Sequence, residues 1–73
     1  MIVEIEFTSG LRFRLVCGNW WATREGYRFA KIQEVQTKKE KEAWLPALKV
    51  PPHADMSMKI PKGLLNVINP ITD

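Results

Sequence analysis

The sequence predicts a mainly β fold, a small antiparallel sheet of about five strands in a single domain over residues 1–73. Three features of the sequence support this prediction. Apolar and polar residues alternate through the first seventeen positions, glycine closes two short breaks at residues 8–10 and 24–26, and prolines interrupt the second half. Alternation with period two is typical of half-buried strands, and Gly and Pro mark the turns between them.

The first hairpin is predicted down to its register. A two-residue turn at Ser9 and Gly10 would place Phe7 opposite Arg12, so charges would cross an apolar row. A three-residue loop over residues 8–10, with Gly10 in the left-handed conformation, avoids that conflict. The register predicted from this loop pairs Phe7 with Leu11, Ile5 with Phe13 and Val3 with Leu15 on one face, and Glu6 with Arg12 and Glu4 with Arg14 on the other.

A second hairpin is predicted after a turn at Gly18 and Asn19. Residues 20–23 favour a strand by composition, and residues 24–26 repeat the pattern of the first loop, with Gly26 again able to adopt the left-handed conformation. By analogy with the first hairpin, Thr23 is expected to oppose Tyr27 and Trp21 to oppose Phe29, while Trp20 shares the other face with Ala30.

Residues 28–42 admit two interpretations. Phe29, Ile32 and Val35 are spaced by three, which suits a helix, and the composition also favours one. However, that apolar stripe is one residue wide and ends at Val35, so we favour a strand and keep an α+β fold with a helix over residues 28–42 as the alternative. The mixed charges of residues 37–42 are expected at the solvated tip of a long hairpin or at the end of the helix.

The second half is apolar but interrupted. Trp44 is expected to anchor the core, and Pro46 makes residues 43–50 an edge strand, a bulged strand or extended chain across the core. A short strand is expected over residues 56–60, a short helix of one or two turns over residues 64–68, and a loose tail over residues 70–73 unless it is paired. The simplest architecture is an antiparallel meander or a partly open barrel of the SH3-like or OB-like type.

Composition limits the class of protein. A hydrophobic fraction of 45% with 26% charged residues indicates a folded domain rather than disorder. A chain near this length buries only about 60% of its unfolded surface, so its stability is expected to benefit from a partner or from self-association. The lone Cys17 excludes an intrachain disulfide, and no apolar run approaches the roughly 18 residues of a membrane span. Since Met1 leads directly into a strand with no signal segment, we expect a cytoplasmic protein.

The sequence contains no catalytic signature. Its one cysteine and one histidine, Cys17 and His53, lie in no nucleophile motif, and the hairpin register turns Cys17 inward. His53 with Asp55 is too sparse for a metal site, which requires three or four ligands. No glycine-rich phosphate loop or dinucleotide fingerprint is present. We therefore expect no enzyme activity, no cofactor and no small-molecule substrate.

Cations and aromatic rings concentrate in one third of the chain. Residues 11–31 carry five cations against Glu25 alone, and five of the seven aromatic residues. Residues 25–32 partly resemble the RNP1 strand of RNA-recognition motifs, in which Gly precedes alternating aromatics: Gly26, Tyr27 and Phe29 match, whereas Glu25 replaces the usual cation. The match spans eight residues and does not assign the chain to that family.

Two functions follow from these patterns. The first is a non-catalytic protein-binding module that occupies a surface on a partner protein or on a second copy, because the core is small and three Trp exceed what it needs. By analogy with small independent reading frames, an accessory or inhibitor protein of a phage or mobile element is expected. The alternative is a small nucleic-acid-binding β-barrel whose basic aromatic face uses Arg12, Arg14, Arg24, Arg28 and Lys31. Because the predicted register pairs Arg12 and Arg14 with Glu6 and Glu4, this alternative depends mainly on the other three cations. The residues predicted to contact a partner are Trp20, Trp21, Arg24, Tyr27, Arg28, Lys31 and Trp44.

Overall fold

The computed structural model describes residues 1–38 and 43–72, and within them the chain forms six antiparallel strands and one 3-10 turn. The mainly β class is confirmed, with one strand more than the five expected. In chain order the elements are β1 (Ile2–Phe7), β2 (Arg12–Ala22), β3 (Gly26–Lys38), β4 (Leu45–Lys49), β5 (Met58–Pro61), the turn η1 (Lys62–Leu64) and β6 (Leu65–Thr72).

The sheet is organised around β3. Its order is β4-β3-β2-β1-β6, and β5 pairs with β3 outside this path. One side of β3 pairs with β2, while the other side pairs with β5 over residues 26–29 and with β4 over residues 34–37. The sheet is therefore open, with β6 at one edge and both β4 and β5 at the other.

The first hairpin has the predicted register. All four predicted pairs that involve residues 3–6 are present, and the Phe7 N–H donates to the Leu11 carbonyl oxygen at 2.8 Å. Gly10 has a φ of 92°, the left-handed conformation that the three-residue loop requires. Across the charged face, the Arg12 Nε donates to the Glu6 carboxylate at 3.0 Å.

The second hairpin differs from its prediction by one residue. β2 continues through the expected turn at residues 18–19 and ends at Ala22, which pairs with Tyr27 across a four-residue loop. Trp20 therefore opposes Phe29, and Trp21 opposes Arg28.

A threonine closes this second loop instead of a left-handed glycine. The Thr23 N–H donates to the Gly26 carbonyl oxygen at 2.7 Å, and the Thr23 hydroxyl accepts from the Gly26 N–H at 3.1 Å. Such side-chain turns need no positive φ, and Gly10 is the one glycine of the described residues that has it.

The helix considered for residues 28–42 is wrong for residues 28–38, which belong to β3; residues 39–42 lie outside the described part of the chain. The spacing of three between Phe29, Ile32 and Val35 has another cause. Lys31 adopts a left-handed conformation, with φ of 54°, and the register with β2 shifts between Val16 and Cys17. These irregularities reset the alternation, so all three apolar residues face the same side.

Eight buried side chains form the core on one face of the sheet, here called the inner face; the opposite side is the outer face. They are Val3, Ile5, Leu15, Cys17, Phe29, Ile32, Val35 and Ile60. The inward position predicted for Cys17 is confirmed, since this residue has no exposed surface.

The C-terminal quarter is more extended than predicted. β4 is an edge strand and β5 is the predicted short strand, but the helix expected over residues 64–68 is wrong apart from the single turn η1. β6 instead pairs with the free side of β1, where Leu65 and Ile68 pack against the core. Pro70 and Thr72 pair with Val3 and Ile2 of β1, so the tail up to residue 72 belongs to this strand rather than being loose.

Gly26 is required by the approach of β5. A Cβ at this position would overlap the Ile60 carbonyl oxygen and lie 2.9 Å from the Pro61 Cα. We predict that Gly26→Ala lowers the free energy of unfolding by about 1–3 kcal/mol, because backbone must move to admit the methyl group. Urea denaturation followed by circular dichroism measures the change.

The matched control for this substitution is Gly63→Ala. Apart from its two chain neighbours, no atom of the described residues lies within 4 Å of a Cβ placed there, and its φ is not positive. A change of less than about 0.5 kcal/mol is expected for it, as for other exposed substitutions. Equal effects at the two glycines would contradict the close approach of β5.

Candidate interaction surfaces

Two predicted contact residues, Trp20 and Tyr27, pack at the margin of the core. The Trp20 ring is stacked on Phe29, with centroids 6.3 Å apart and an interplanar angle of 21°. The Tyr27 ring also packs against Trp20, with the two ring centroids 6.5 Å apart. Both side chains are partly buried against the core, so they are less exposed than Trp21.

Trp44 is not the core anchor that the sequence predicted. It lies half-buried outside the core cluster, with the Arg14 guanidinium carbon 4.5 Å and the Lys38 Nζ 5.8 Å from its ring centroid. The attraction of cations for the face of an indole ring holds it there. Because Arg14 also lies 4.0 Å from the Glu4 carboxylate, the pair opposite it in β1, Trp44 covers a charged part of the outer face.

The basic residues of the predicted nucleic-acid face are divided among three places. Arg12 and Arg14 face the Glu6 and Glu4 carboxylates, as the hairpin register requires. Lys31 stands apart at the irregularity of β3, beside a depression lined by residues 50–55. Arg24 and Arg28 lie at the β2–β3 hairpin and have no carboxylate within 4.0 Å among residues 1–38 and 43–72.

A basic end is built around that hairpin. Arg28 is aligned with Trp21 on one side and Lys59 of β5 on the other, and all three are exposed on the outer face. The Lys62 N–H donates to the Glu25 carbonyl oxygen at 3.1 Å, which places η1 beside the loop. The basic end comprises Trp21, Arg24, Glu25, Arg28, Lys59 and Lys62. Sequence reasoning missed the two lysines, which join it only through the pairing of β5 with β3.

Glu25 is the one carboxylate of this end. The Lys59 Nζ lies 3.0 Å from its Oε2 atom, and both groups are solvent-exposed. The hydrogen bond from Lys59 and its charge, with a smaller contribution from Arg28, lower the pKa of Glu25. The carboxylate therefore stays ionised at neutral pH and offsets one positive charge.

A second surface is apolar and lies on the inner face near β4. Leu48 is aligned with the core residue Val35, and Leu45 is aligned with Thr37, yet the two leucines are 44% and 51% exposed. Leu11, next to Phe13 on this face, is 59% exposed. The open apolar end, as we name it, comprises Leu11, Phe13, Leu45 and Leu48. The sequence predicted the edge strand but not this exposure, because the set of side chains that the core buries depends on the whole sheet.

The described residues bring no metal-ligating set together. No group of three or more His, Cys, Asp or Glu side chains is close enough to hold a metal ion within residues 1–38 and 43–72. Over the same ranges, no helix has the length and apolar character needed to cross a membrane.

In comparisons with known proteins, no family model, curated protein or solved structure matches this chain.

Cys17 provides a probe of the core beneath them. Burial raises the pKa of its thiol, so the reactive thiolate is scarcer in the folded chain than in the unfolded one. We predict that a disulfide exchange reagent at mildly alkaline pH reacts with the native protein far more slowly than with protein unfolded in urea. Absorbance of the released thiol measures both rates. Equal rates would contradict the buried position of Cys17.

Proposed function

We propose that this protein is a non-catalytic protein-binding module that binds through its open apolar end, with a second copy of the chain as the first partner. The observation that carries the proposal is the exposure of Leu11, Leu45 and Leu48 at 59%, 51% and 44% on the face that elsewhere forms the core. Contiguous exposed apolar side chains on a small soluble domain are typical of interaction sites.

The open apolar end continues the core rather than standing apart from it. Leu48 follows Val35 in one row across the sheet, and Leu45 follows Phe13 and Thr37 in the next. A partner protein packed against these rows would extend the eight-residue core, because its apolar side chains would be buried in the same way as those of the core. Burial of each leucine contributes up to about 1.5–3 kcal/mol, before the cost of association.

Prolines favour contact through the face over addition of a strand at an edge. Each strand that pairs on one side alone within the described residues carries a proline: Pro46 in β4, Pro61 in β5 and Pro70 in β6. Proline has no N–H to donate, so it interrupts any ladder that a partner strand would form.

A second copy suits this surface because, among residues 1–38 and 43–72, the side chains that form it carry no charge. Its four side chains are apolar, and the polar residue within it is the neutral Thr37. In a twofold contact the same patch meets itself, so an uncharged patch faces no like-charge repulsion. Two such sheets pack about 10 Å apart with their apolar side chains interleaved. A domain this small gains proportionately more from the added burial than a large one does.

Paired substitutions test the proposal. We predict that Leu45→Ser with Leu48→Ser weakens self-association at least about tenfold, since two apolar groups leave the contact. The control is Val67→Ser with Ile71→Ser in β6, two residues of similar exposure at 46% and 41%. Sedimentation velocity over a range of concentrations measures association, and circular dichroism verifies that each variant is folded.

The proposal is rejected if the unmodified protein stays monomeric at every concentration and an affinity pull-down recovers no partner. It is also rejected if the control weakens association as much as the leucine variant does. If a different protein binds the unmodified chain and not the leucine variant, the open apolar end is still a protein-binding site, but its partner is that protein and not a second copy. The genes beside this reading frame then test the proposed role as a phage or mobile-element accessory protein in the cytoplasm.

A further inference from the structure

We infer that the basic end is a binding site for single-stranded nucleic acid, separate from the open apolar end. It places an exposed indole ring in one row with two cations, Arg28 and Lys59, on the outer face of the sheet. This site goes beyond the proposed protein-binding function and does not depend on it.

The charge of the basic end is the first argument. Arg24, Arg28, Lys59 and Lys62 oppose Glu25 alone, an excess of three that equals the formal net charge of the whole chain, +3. The rest of the sequence balances, with 11 − 4 = 7 cations against 8 − 1 = 7 carboxylates, so the formal excess of positive charge lies at this hairpin. Two of those other cations, Arg12 and Arg14, directly face carboxylates. Phosphate groups are the polyanion that such clusters of Arg and Lys attract, with release of counterions from the nucleic acid.

The exposed ring of Trp21 favours single-stranded over double-stranded nucleic acid. Its side chain is 43% exposed, and no aromatic ring or cation stacks on it among residues 1–38 and 43–72. An indole face beside cations is the arrangement that stacks an unpaired base while the neighbouring phosphates are neutralised. A paired base inside a duplex offers no such face.

The arrangement also distinguishes this site from the face predicted by sequence. Trp20 and Tyr27 are partly buried against the core, and Lys31 lies elsewhere. Trp21, Arg24 and Arg28 remain from the prediction, and Lys59 and Lys62 are added by β5 and η1. The site therefore combines the hairpin with a segment more than thirty residues away in sequence.

The test uses a fluorescently labelled oligothymidylate and the full chain, with anisotropy measured from low salt to about 0.2 M. The unmodified protein is expected to bind at low salt and to lose affinity as salt rises. Arg24→Ala with Arg28→Ala is expected to weaken binding at least about tenfold and to reduce the salt slope by about 1.4, or 0.7 for each phosphate contact. Trp21→Ala is expected to weaken it about tenfold through loss of stacking.

Two further variants sharpen the test. Glu25→Gln removes the one negative charge of the basic end and is expected to tighten binding, the opposite direction from the arginine variant. Lys38→Ala with Lys49→Ala removes the same charge as the arginine variant at the β3–β4 region, and a much smaller loss is expected for it.

Three outcomes would overturn the inference. The first is that the protein does not bind the oligonucleotide at low salt. The second is that the arginine variant and the lysine control lose equal affinity. The third is that polyglutamate competes as well as the oligonucleotide does while Trp21→Ala has no effect on binding. This third outcome would identify the ligand of the basic end as an acidic protein surface instead of a nucleic acid. Leu45 and Leu48 are unchanged in every variant, so sedimentation of the same proteins reports separately on the proposed self-association.

Discussion

The fold depends on the long strand β3, which keeps one face apolar while it pairs with three other strands. β3 pairs with β2 along one side and with β5 and β4 in succession along the other, and it contributes Phe29, Ile32 and Val35 to the core. Strict alternation would turn Ile32 away from the other two. The left-handed conformation of Lys31 and the shifted register beside it turn the Ile32 side chain back to the inner face. An irregular residue has this effect because it changes the face that the following side chains occupy.

The two surfaces follow from that arrangement. β5 pairs with the first part of β3 and β4 with its last part; on the inner face Ile60 of β5 is buried, whereas Leu45 and Leu48 of β4 are exposed. On the outer face, the pairing with β5 brings Lys59 beside Arg28 and Trp21. Protein contact and nucleic-acid contact are therefore proposed for opposite faces of one sheet, and the two are compatible in one assembly.

How much the sequence predicted depends on the distance between the residues that decide each feature. The first hairpin was predicted to its register because its strands, loop and charge pairs all lie within seventeen residues. The second was wrong by one position, since the Thr23 hydroxyl and the approach of Ile60 to Gly26 decide that loop. The strand β6 was missed because its partner strand β1 is far away in sequence, from 65 − 7 = 58 to 72 − 2 = 70 residues for the paired positions, and the local spacing of apolar residues suited a short helix. Surface exposure, and with it both candidate sites, depends on the complete sheet.

The most direct test of the open apolar end is methyl NMR with a soluble paramagnetic agent, recorded on dilute and on concentrated protein. The account predicts that the methyl groups of Leu11, Leu45 and Leu48 relax rapidly in dilute solution and become protected at high concentration, while those of Val67 and Ile71 stay accessible throughout. Protection of Val67 and Ile71 instead, or leucine methyl groups already shielded in the dilute monomer, would contradict it.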